Sequence, residues 1–198
     1  DGTKEWASDN GYSVYVQKQS GFRHAYVEVW PQIHGDVVIT FSPDGNSIPE
    51  LIPDLISKMK ECYDMVIVSR YLAGAKSEDD DFITGFGNWF FTKTVNFLYR
   101  GNYSDVMVIY RAYWKSVAYD LDLDKDDAYQ LPEKLLRTNL GWEPLLSVRA
   151  LKAKLKVAEI PGDEPSRIGG ERKLKIFKWG ASFYFMFIKE IIFQNLRE

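Results

Sequence analysis

The stretch Asp36 to Lys60, DVVITFSPDGNSIPELIPDLISKMK, decides how the rest of the chain is organised. Asp36 to Phe41 is a short, apolar, β-branched run of the kind that fits a buried parallel strand, and it stops at the polar turn Ser42-Pro43-Asp44-Gly45-Asn46. Beyond the turn, Ser47 is placed to cap a helix and Pro49 falls near the first helical position. Leu51, Ile52, Leu55, Ile56 and Met59 then recur at helical spacing. The unit is strand, turn, helix. In open α/β sheets the ligand crevice lies outside the carboxyl ends of the strands, so Ser42, Asp44 and Asn46 stand where a site is expected. All three offer oxygen, and a hard divalent cation shared with a diphosphate suits such a turn. Mg²⁺ takes one or two carboxylates and fills the rest of its shell with phosphate and water. The same residues also make an ordinary turn, since Pro fixes φ, Gly allows positive φ, and Asp and Asn bond back to their own backbone.

Composition bounds the answer. A chain of 198 residues, 45% hydrophobic and 15% aromatic, buries a real core and reads as one α/β domain. A net charge of -3 gives no global argument for nucleic acid, so any anion site must be local. The single cysteine, Cys62, excludes an internal disulfide and fits a reducing compartment. No signal-peptide pattern opens the chain, and no uncharged apolar run reaches the about 18 residues of a membrane span. A cytoplasmic location is expected.

Taken in order, Asp1-Gly2-Thr3 runs into a short helix, Lys4 to Asp9, and Tyr12 to Gln17 alternates as a strand. Phe22 to Ile33 reads as a helix interrupted by Pro31 and carries Arg23 and His24. His24 and His34 lack partners at metal-ligand spacing and read as surface or satisfied histidines. Asp64 to Arg70 is a buried strand ending on a cation. The acidic run Glu78 to Asp81 reads as a solvated loop. Phe82 to Tyr99 is a long aromatic-rich helix with Asn88 and Asn96 as polar exceptions. Asp105 to Tyr113 reads as a strand closing on Arg111, a third basic group. A helix follows Gly141-Trp142-Glu143-Pro144, and Lys156 to Ile160 is a last strand. The loop Pro161 to Lys173 clusters Arg167, Arg172 and Lys173, a common way to grip phosphate. Leu174 to Leu196 is apolar on much of its circumference, with Lys175, Lys178 and Lys189 interrupting. It suits either a helix lying in a membrane interface or one docked on the core. Residues 1–173 are thus expected to form the main domain and 174–198 an amphipathic carboxyl-terminal helix.

The segments Asp1-Gly2-Thr3, Ser42-Pro43-Asp44 with Pro49-Glu50, Ser69-Arg70-Tyr71, Tyr110-Arg111-Ala112-Tyr113 and Arg167 to Lys173, in that order, resemble the inverting family 2 glycosyltransferases of GT-A fold. The likeness is to the polyprenyl-phosphate (dolichyl-phosphate) mannose synthase type. It implies a three-layer α/β/α nucleotide-diphospho-sugar transferase domain whose first strand and Asp-Asp pair would precede Asp1.

It also implies Mg²⁺ or Mn²⁺ held by Asp44 and Asn46, with Ser42 where the family carries its first acid. Asp1, Arg23, Asp44 and Arg70 would bind the nucleotide sugar. Arg70, Arg111, Arg167 and Lys173 would hold the acceptor phosphate or the leaving diphosphate, as the arginine fork suits phosphate oxygens. The resemblance puts Asp44, Arg111 and Glu143 at the chemistry. A lipid phosphate acceptor is already anionic and needs no base, whereas a sugar hydroxyl would need one, for which Glu143 is the candidate. Glu143 is equally placed to satisfy backbone amides at a helix start. The implied partners are a nucleotide sugar, a polyprenyl phosphate or glycan, and peripheral contact with the cytoplasmic face of a membrane, with no nucleic acid. A glycosyltransferase-like module that binds without transfer is the alternative, because Ser42 weakens the metal motif. Ser42→Asp restores a hard charged oxygen there and should tighten Mn²⁺ binding in a calorimetric titration. Unchanged affinity would place the turn away from the ion.

Overall fold

The computed structural model describes residues 2–168 and 176–192 and divides the chain into two compact units, residues 1–34 and 35–198. In the first unit, α1 (Thr3–Asp9) is followed by an irregular segment and by α2 (Phe22–Val29). A single 3-10 turn, Trp30–Gln32, continues α2 and contains Pro31, so the expected interruption falls where the ring removes a donor. Tyr12 to Gln17 is irregular rather than a strand. Alternation alone makes no strand without a pairing edge, and here a side chain organises the segment instead. The Glu28 carboxylate on α2 accepts from the amides of Lys18 (2.6 Å) and Gln19 (2.8 Å) and from the Tyr15 hydroxyl (3.1 Å). Those two backbone donors hold the Glu28 pKa below its ordinary value.

The second unit is built on a sheet of β1 (Val37–Thr40), β2 (Met65–Ser69), β3 (Arg111–Trp114) and β4 (Val157–Pro161), in the order β1-β3-β2-β4. Strand β3 is antiparallel to both neighbours, and β2 and β4 are parallel. β1, β2 and β4 therefore run the same way and their carboxyl ends share one edge. The expected buried parallel strand at 36–41 is corrected in one respect. β1 shares the direction of β2 and β4, yet it lies at the margin of this sheet, half-buried over Val37 to Ile39, and its partner is antiparallel. Residues 105–110 are irregular, and the strand begins rather than closes at Arg111.

Strand β2 is buried throughout, and Met65, Val66, Ile67 and Val68 each contribute about 1.5–3 kcal/mol of transfer free energy. Around the sheet lie α3 (Ile52–Met59), α4 (Phe82–Tyr99), α5 (Val117–Asp120), α6 (Gln130–Leu136), α7 (Glu143–Lys152) and α8 (Ile176–Ile192). Ser47 does not cap α3. A 3-10 turn, Pro49–Leu51, comes first, and α3 starts at Ile52 with Pro53 in its first turn, where no amide is needed. α4 opens on a reciprocal capping box: Asp81 accepts from the Thr84 amide (2.8 Å) and the Thr84 hydroxyl accepts from the Asp81 amide (2.9 Å).

α8 buries Phe183, Met186 and Phe187 and packs on α4, α6 and α7. The remainder of the expected 174–198 helix, at its two ends, lies outside the described residues. Near its end, the Glu190 carboxylate meets Arg149 (2.8 Å) and Lys152 (2.8 Å) of α7. Burial pushes the Glu190 pKa up, but these two cations outweigh it and hold the group below its ordinary value. A depressed carboxylate adds stability that is full above its unfolded pKa and is lost as pH falls through the folded one. Glu190→Gln should therefore cost about 2 kcal/mol near pH 7, and the gap to the wild type should close as pH drops below about 4. Urea denaturation across pH measures it, and a gap independent of pH would refute the ion-pair account.

Candidate active site

Three loops meet at the edge formed by the carboxyl ends of β1, β2 and β4: residues 41–48, 70–81 and 162–168. The first carries Ser42, Asp44 and Asn46. The Ser42 hydroxyl donates to Asp44 Oδ1 (2.8 Å), and Asn46 Nδ2 donates to Glu164 Oε1 (3.4 Å). The turn is pinned from beneath by the Tyr110 hydroxyl, which donates to the Ile48 carbonyl (2.9 Å), and by the Phe41–Tyr110 edge contact (5.2 Å). It is pinned from above by the Ile168 amide, which donates to the Asp44 carbonyl (3.0 Å). Gly45 has φ +91°, the left-handed region that favours glycine, and a Cβ there would lie 2.5 Å from the exposed Ile168 side chain, which would have to shift.

Arg70 leaves the end of β2 and is gripped by Asp105, a fully buried carboxylate. Nε and Nη2 donate to Oδ2 and Oδ1 at 2.6 and 3.0 Å, the paired fork geometry. Its outer nitrogen Nη1 reaches Glu164 (3.0 Å) and lies 3.7 Å from Asp80. Burial would lower the Arg70 pKa, but Asp105 and Glu164 more than reverse this, and the guanidinium stays charged at any working pH. Glu164 also accepts from the Ser77 hydroxyl, and the Asp80 carboxylate accepts from the Tyr71 hydroxyl. Arg167 donates to both oxygens of Asp79 (3.0 and 2.7 Å), and its Nη1 lies 3.9 Å from Asp44. Hydrogen bonding to Asp79 raises the Arg167 pKa.

The expected residues Ser42, Asp44, Asn46, Arg70 and Arg167 are thus brought together. Arg111 is placed differently from a phosphate-gripping cation. It is fully buried, and its nitrogens donate to the carbonyls of Val108, Val106 (3.4 Å) and Glu143 (3.3 Å) and to the Ser147 hydroxyl (3.0 Å). Glu143 is buried in the first turn of α7. Arg23 is buried on α2 in the other unit. Asp1 and Lys173 lie outside the described residues.

Sequence reasoning passed over Asp105, Asp79, Asp80 and Glu164. Asp79 and Asp80 in the acidic run are partners rather than solvated groups, because the loop after β4 brings Arg167 to Asp79 from 88 residues away and Arg70 lies 3.7 Å from Asp80. Asp105 did carry a signal: it is the lone carboxylate in the apolar run 105–110, and a buried acid demands a partner.

Among the described residues no group of three or more His, Cys, Asp and Glu forms a metal cage. Within the 41–48 turn the carboxylate is Asp44, with the Ser42 hydroxyl beside it, while Asp79, Asp80 and Glu164 at the same edge are engaged by Arg167 and Arg70. That donor set fits a hard cation held mostly by a ligand's own phosphates and by water.

Solved structures share this architecture. Glucosyl-3-phosphoglycerate synthase from Mycobacterium tuberculosis in complex with uridine-diphosphate superimposes with a TM-score of 0.60 at 15% identity, over 94% of this chain and 65% of that one. The same synthase with Mn²⁺ and uridine-diphosphate-glucose gives 0.57 at 14% identity, over 96% and 64%. The fold is the GT-A-type α/β/α fold of nucleotide-diphospho-sugar transferases. Residues 1–122 match the family described as Glycosyl transferase family 2, and the chain belongs to that family.

Similar relatives include Glycosyltransferase AglJ from Haloferax volcanii (26% identity over 81% of this chain) and a dolichol-phosphate mannosyltransferase from Pyrococcus furiosus (26% over 84%). An undecaprenyl-phosphate mannosyltransferase from Micrococcus luteus is 25% identical over 88% of this chain. The chain spans 49%, 45% and 71% of the lengths of these three relatives.

Asp105→Asn keeps the shape and removes the charge, leaving Arg70 without its inner partner. Stability should fall by about 3 kcal/mol, as for a broken buried pair. Chemical denaturation reads it, and a loss under about 0.5 kcal/mol would show the clamp to be energetically idle.

Proposed function

We propose that the protein moves a sugar, of mannosyl or glucosyl type, from a nucleotide-diphosphate sugar to a polyprenyl (dolichyl-type) phosphate by a single inverting displacement. The observation that carries this reading is the convergence of Asp44, Arg70 and Arg167 on one sheet edge of a family 2 fold. The names of two relatives, dolichol-phosphate and undecaprenyl-phosphate mannosyltransferase, support the acceptor class, and the synthase complex with Mn²⁺ supports a divalent cation.

Asp44 and Asn46, beside Ser42, would hold Mg²⁺ or Mn²⁺ together with the donor diphosphate. That cation supplies Lewis-acid stabilisation of the leaving diphosphate. Arg70 keeps its inner face on Asp105, while its outer nitrogen, now on Glu164, offers a fixed positive charge to an incoming phosphate. Arg167 does the same by exchanging Asp44 for phosphate oxygens. Arg111 acts beneath them, holding the 106–108 carbonyls and so the segment that begins with Asp105. A lipid phosphate is anionic and attacks without proton removal, which matches a buried Glu143; transfer to a saccharide hydroxyl would need that carboxylate at the surface of the crevice. On this reading a lipid acceptor would bring the protein to a membrane surface, for which the cytoplasmic face is the expected side. No helix among the described residues is long and apolar enough to cross one.

A second reading, a module that binds donor without transfer, is favoured by the Arg167 pairing of the motif's single carboxylate. It predicts donor binding with no turnover.

Asp44→Ala should abolish Mn²⁺-dependent binding of the nucleotide sugar. Its stability cost should stay within about 0.5 kcal/mol, because a half-exposed ion pair contributes little. Calorimetry with and without Mn²⁺ decides it, and donor binding that survives the change would show the assigned site to be wrong.

A further inference from the structure

The sheet edge opposite the crevice carries a second opening. Because β3 runs against its neighbours, its end lies beside the residues that precede β1 and β2. The Lys115 amide donates to the Asp36 carbonyl (2.7 Å) and the Trp114 amide to the Asp64 carbonyl (3.4 Å). α5 follows β3 directly on that edge. The connection from α7 to β4 arrives there too, where the Asp64 amide donates to the Lys156 carbonyl (2.8 Å). Between residues 120–128, α6, the end of α7 and the end of α8 lies a cleft of about 800 Å³, inside the roughly 300–1,000 Å³ of small-molecule sites.

Side chains fasten the walls of this cleft. Arg149 of α7 donates through Nη1 to the carbonyls of Leu121 (2.7 Å) and Asp122 (2.9 Å), where the chain bends with φ +50° at Asp122, a conformation aspartate tolerates. The Tyr129 hydroxyl donates to the Leu123 carbonyl (3.1 Å), and Lys189 of α8 donates to the Asp127 carbonyl. The 120–128 segment is thus tied to α7 at one end and to α8 at the other, so the opening is formed before anything enters it.

Its inner wall is positive. Arg149 and Lys152, with side chains 18% and 20% exposed, share one carboxylate, Glu190, at 2.8 Å each, so a positive charge is left over when that pairing is complete. Two of the three Lys152 donors reach the Glu190 carboxylate (2.8 Å) and carbonyl (3.1 Å). Lys189 adds a further charge. Burial holds its pKa below the ordinary value in spite of the pull of Glu190 and Asp127, a deficit that an entering anion would relieve. Asp120, Asp122 and Asp127 line the cleft as well, but they are exposed, where water and salt screen them. The half-buried cations act through a lower dielectric and decide the sign. The same aspartates select for size, since an extended polyanion would run along them and a compact one passes between.

We propose that this cleft is a second anion site, at the far edge of the sheet from the crevice, and that it binds a phosphorylated small molecule. Lys152 and Lys189 meet the phosphate as point charges, and Lys134, exposed on α6, closes on it from the rim. The volume leaves room for the group that carries the phosphate. Glu190 is the built-in competitor, because its carboxylate already occupies the two cations of α7. The inference goes beyond the transferase reading and shares no residue with Asp44, Arg70 and Arg167 at the other edge.

The test is calorimetric titration of the full chain with inorganic pyrophosphate in buffer containing a metal chelator. Arg70 and Arg167 attract phosphate at the other edge, so the cleft is read through variants. Lys152→Ala and, separately, Lys189→Ala should each weaken one binding event by at least about tenfold. Glu190→Gln, which releases both cations, should tighten that event by about tenfold, the reverse of its effect on stability. Lys134→Ala, at an exposed position, should weaken it with the circular dichroism unchanged, and it keeps the test decisive if a more buried variant does not fold. Arg167→Ala should leave the event as it is. No binding at about 10 mM pyrophosphate, affinity indifferent to the lysine variants, or weakening by Glu190→Gln would each overturn the proposal. Loss of every binding event in Arg167→Ala would also overturn it, by placing the anion in the crevice. Binding of a nucleotide sugar with Mn²⁺ tests the transferase reading separately, and its failure leaves the lysine-dependent event untouched.

Discussion

The arrangement of the candidate site depends on one buried ion pair, Arg70 with Asp105. A carboxylate with no solvent contact is strongly unfavourable unless its oxygens are matched, and Asp105 matches both to one guanidinium and also accepts from the Met107 amide (3.3 Å). The carboxylate is itself fixed from two sides. Glu159 of β4 accepts from the amides of Ser104 (2.9 Å) and Asp105 (3.2 Å), and Arg111 binds the carbonyls of Val106 and Val108. With its inner edge so held, Arg70 has one direction left for its outer nitrogen, and that direction meets Glu164. One guanidinium thus fastens the loop after β4 to the end of β2, and the loop in turn fastens the Asp44 turn through Asn46 and Ile168. Desolvation pushes the Glu159 pKa up in spite of its hydrogen bonds, and the neighbouring Asp105 charge adds to it.

Much of this frame was legible in the chain, for reasons that differ by element. α4 has its expected boundaries and β2 falls one residue inside the expected 64–70 at each end, because an 18-residue helix with a capping box and a fully buried five-residue run carry strong local signals. The carboxyl-end rule found Ser42, Asp44 and Arg70 because strand ends can be read without knowing strand order. Strand order itself is another matter. Nothing local tells whether Arg111 closes a strand or opens one; the pairing of Thr40 with Arg111 and of Ile67 with Arg111 decides it, and that pairing joins residues far apart in sequence. The alternating Tyr12 to Gln17 run fails for the same reason in reverse, having a strand pattern and no strand pairing among the described residues.

Partners at long range account for the remaining surprises. Asp79 and Asp80 look solvated until Arg167 and Tyr71 are placed, and the aromatic content of α4 looks like core until the inward direction of Asn88, Thr92 and Asn96 shows which face is covered. Composition counts hydrophobic residues but assigns them no side. Only the packing of polar residues inward reveals that the aromatics were left outside, which is why the helix was legible and its orientation was not.

The serine at position 42 follows from the same electrostatics. A second carboxylate at the 2.8 Å separation now spanned by Ser42 and Asp44 would need a cation to be tolerated, because like charges so close cannot both stay ionised without one. With serine there, the hydroxyl donates to Asp44, the lone negative charge is balanced at 3.9 Å by Arg167, and the turn is stable as a folded element by itself. On the transferase reading Asp44 and Asn46 would hold a divalent cation together with the donor diphosphate, and Asp44 would be shared between that cation and Arg167. Arg167 would stay on Asp79 through Nε and Nη2, and only its Nη1, the nitrogen 3.9 Å from Asp44, would turn to a donor phosphate, so on that reading the serine at 42 leaves one carboxylate shared between a cation and one arginine nitrogen.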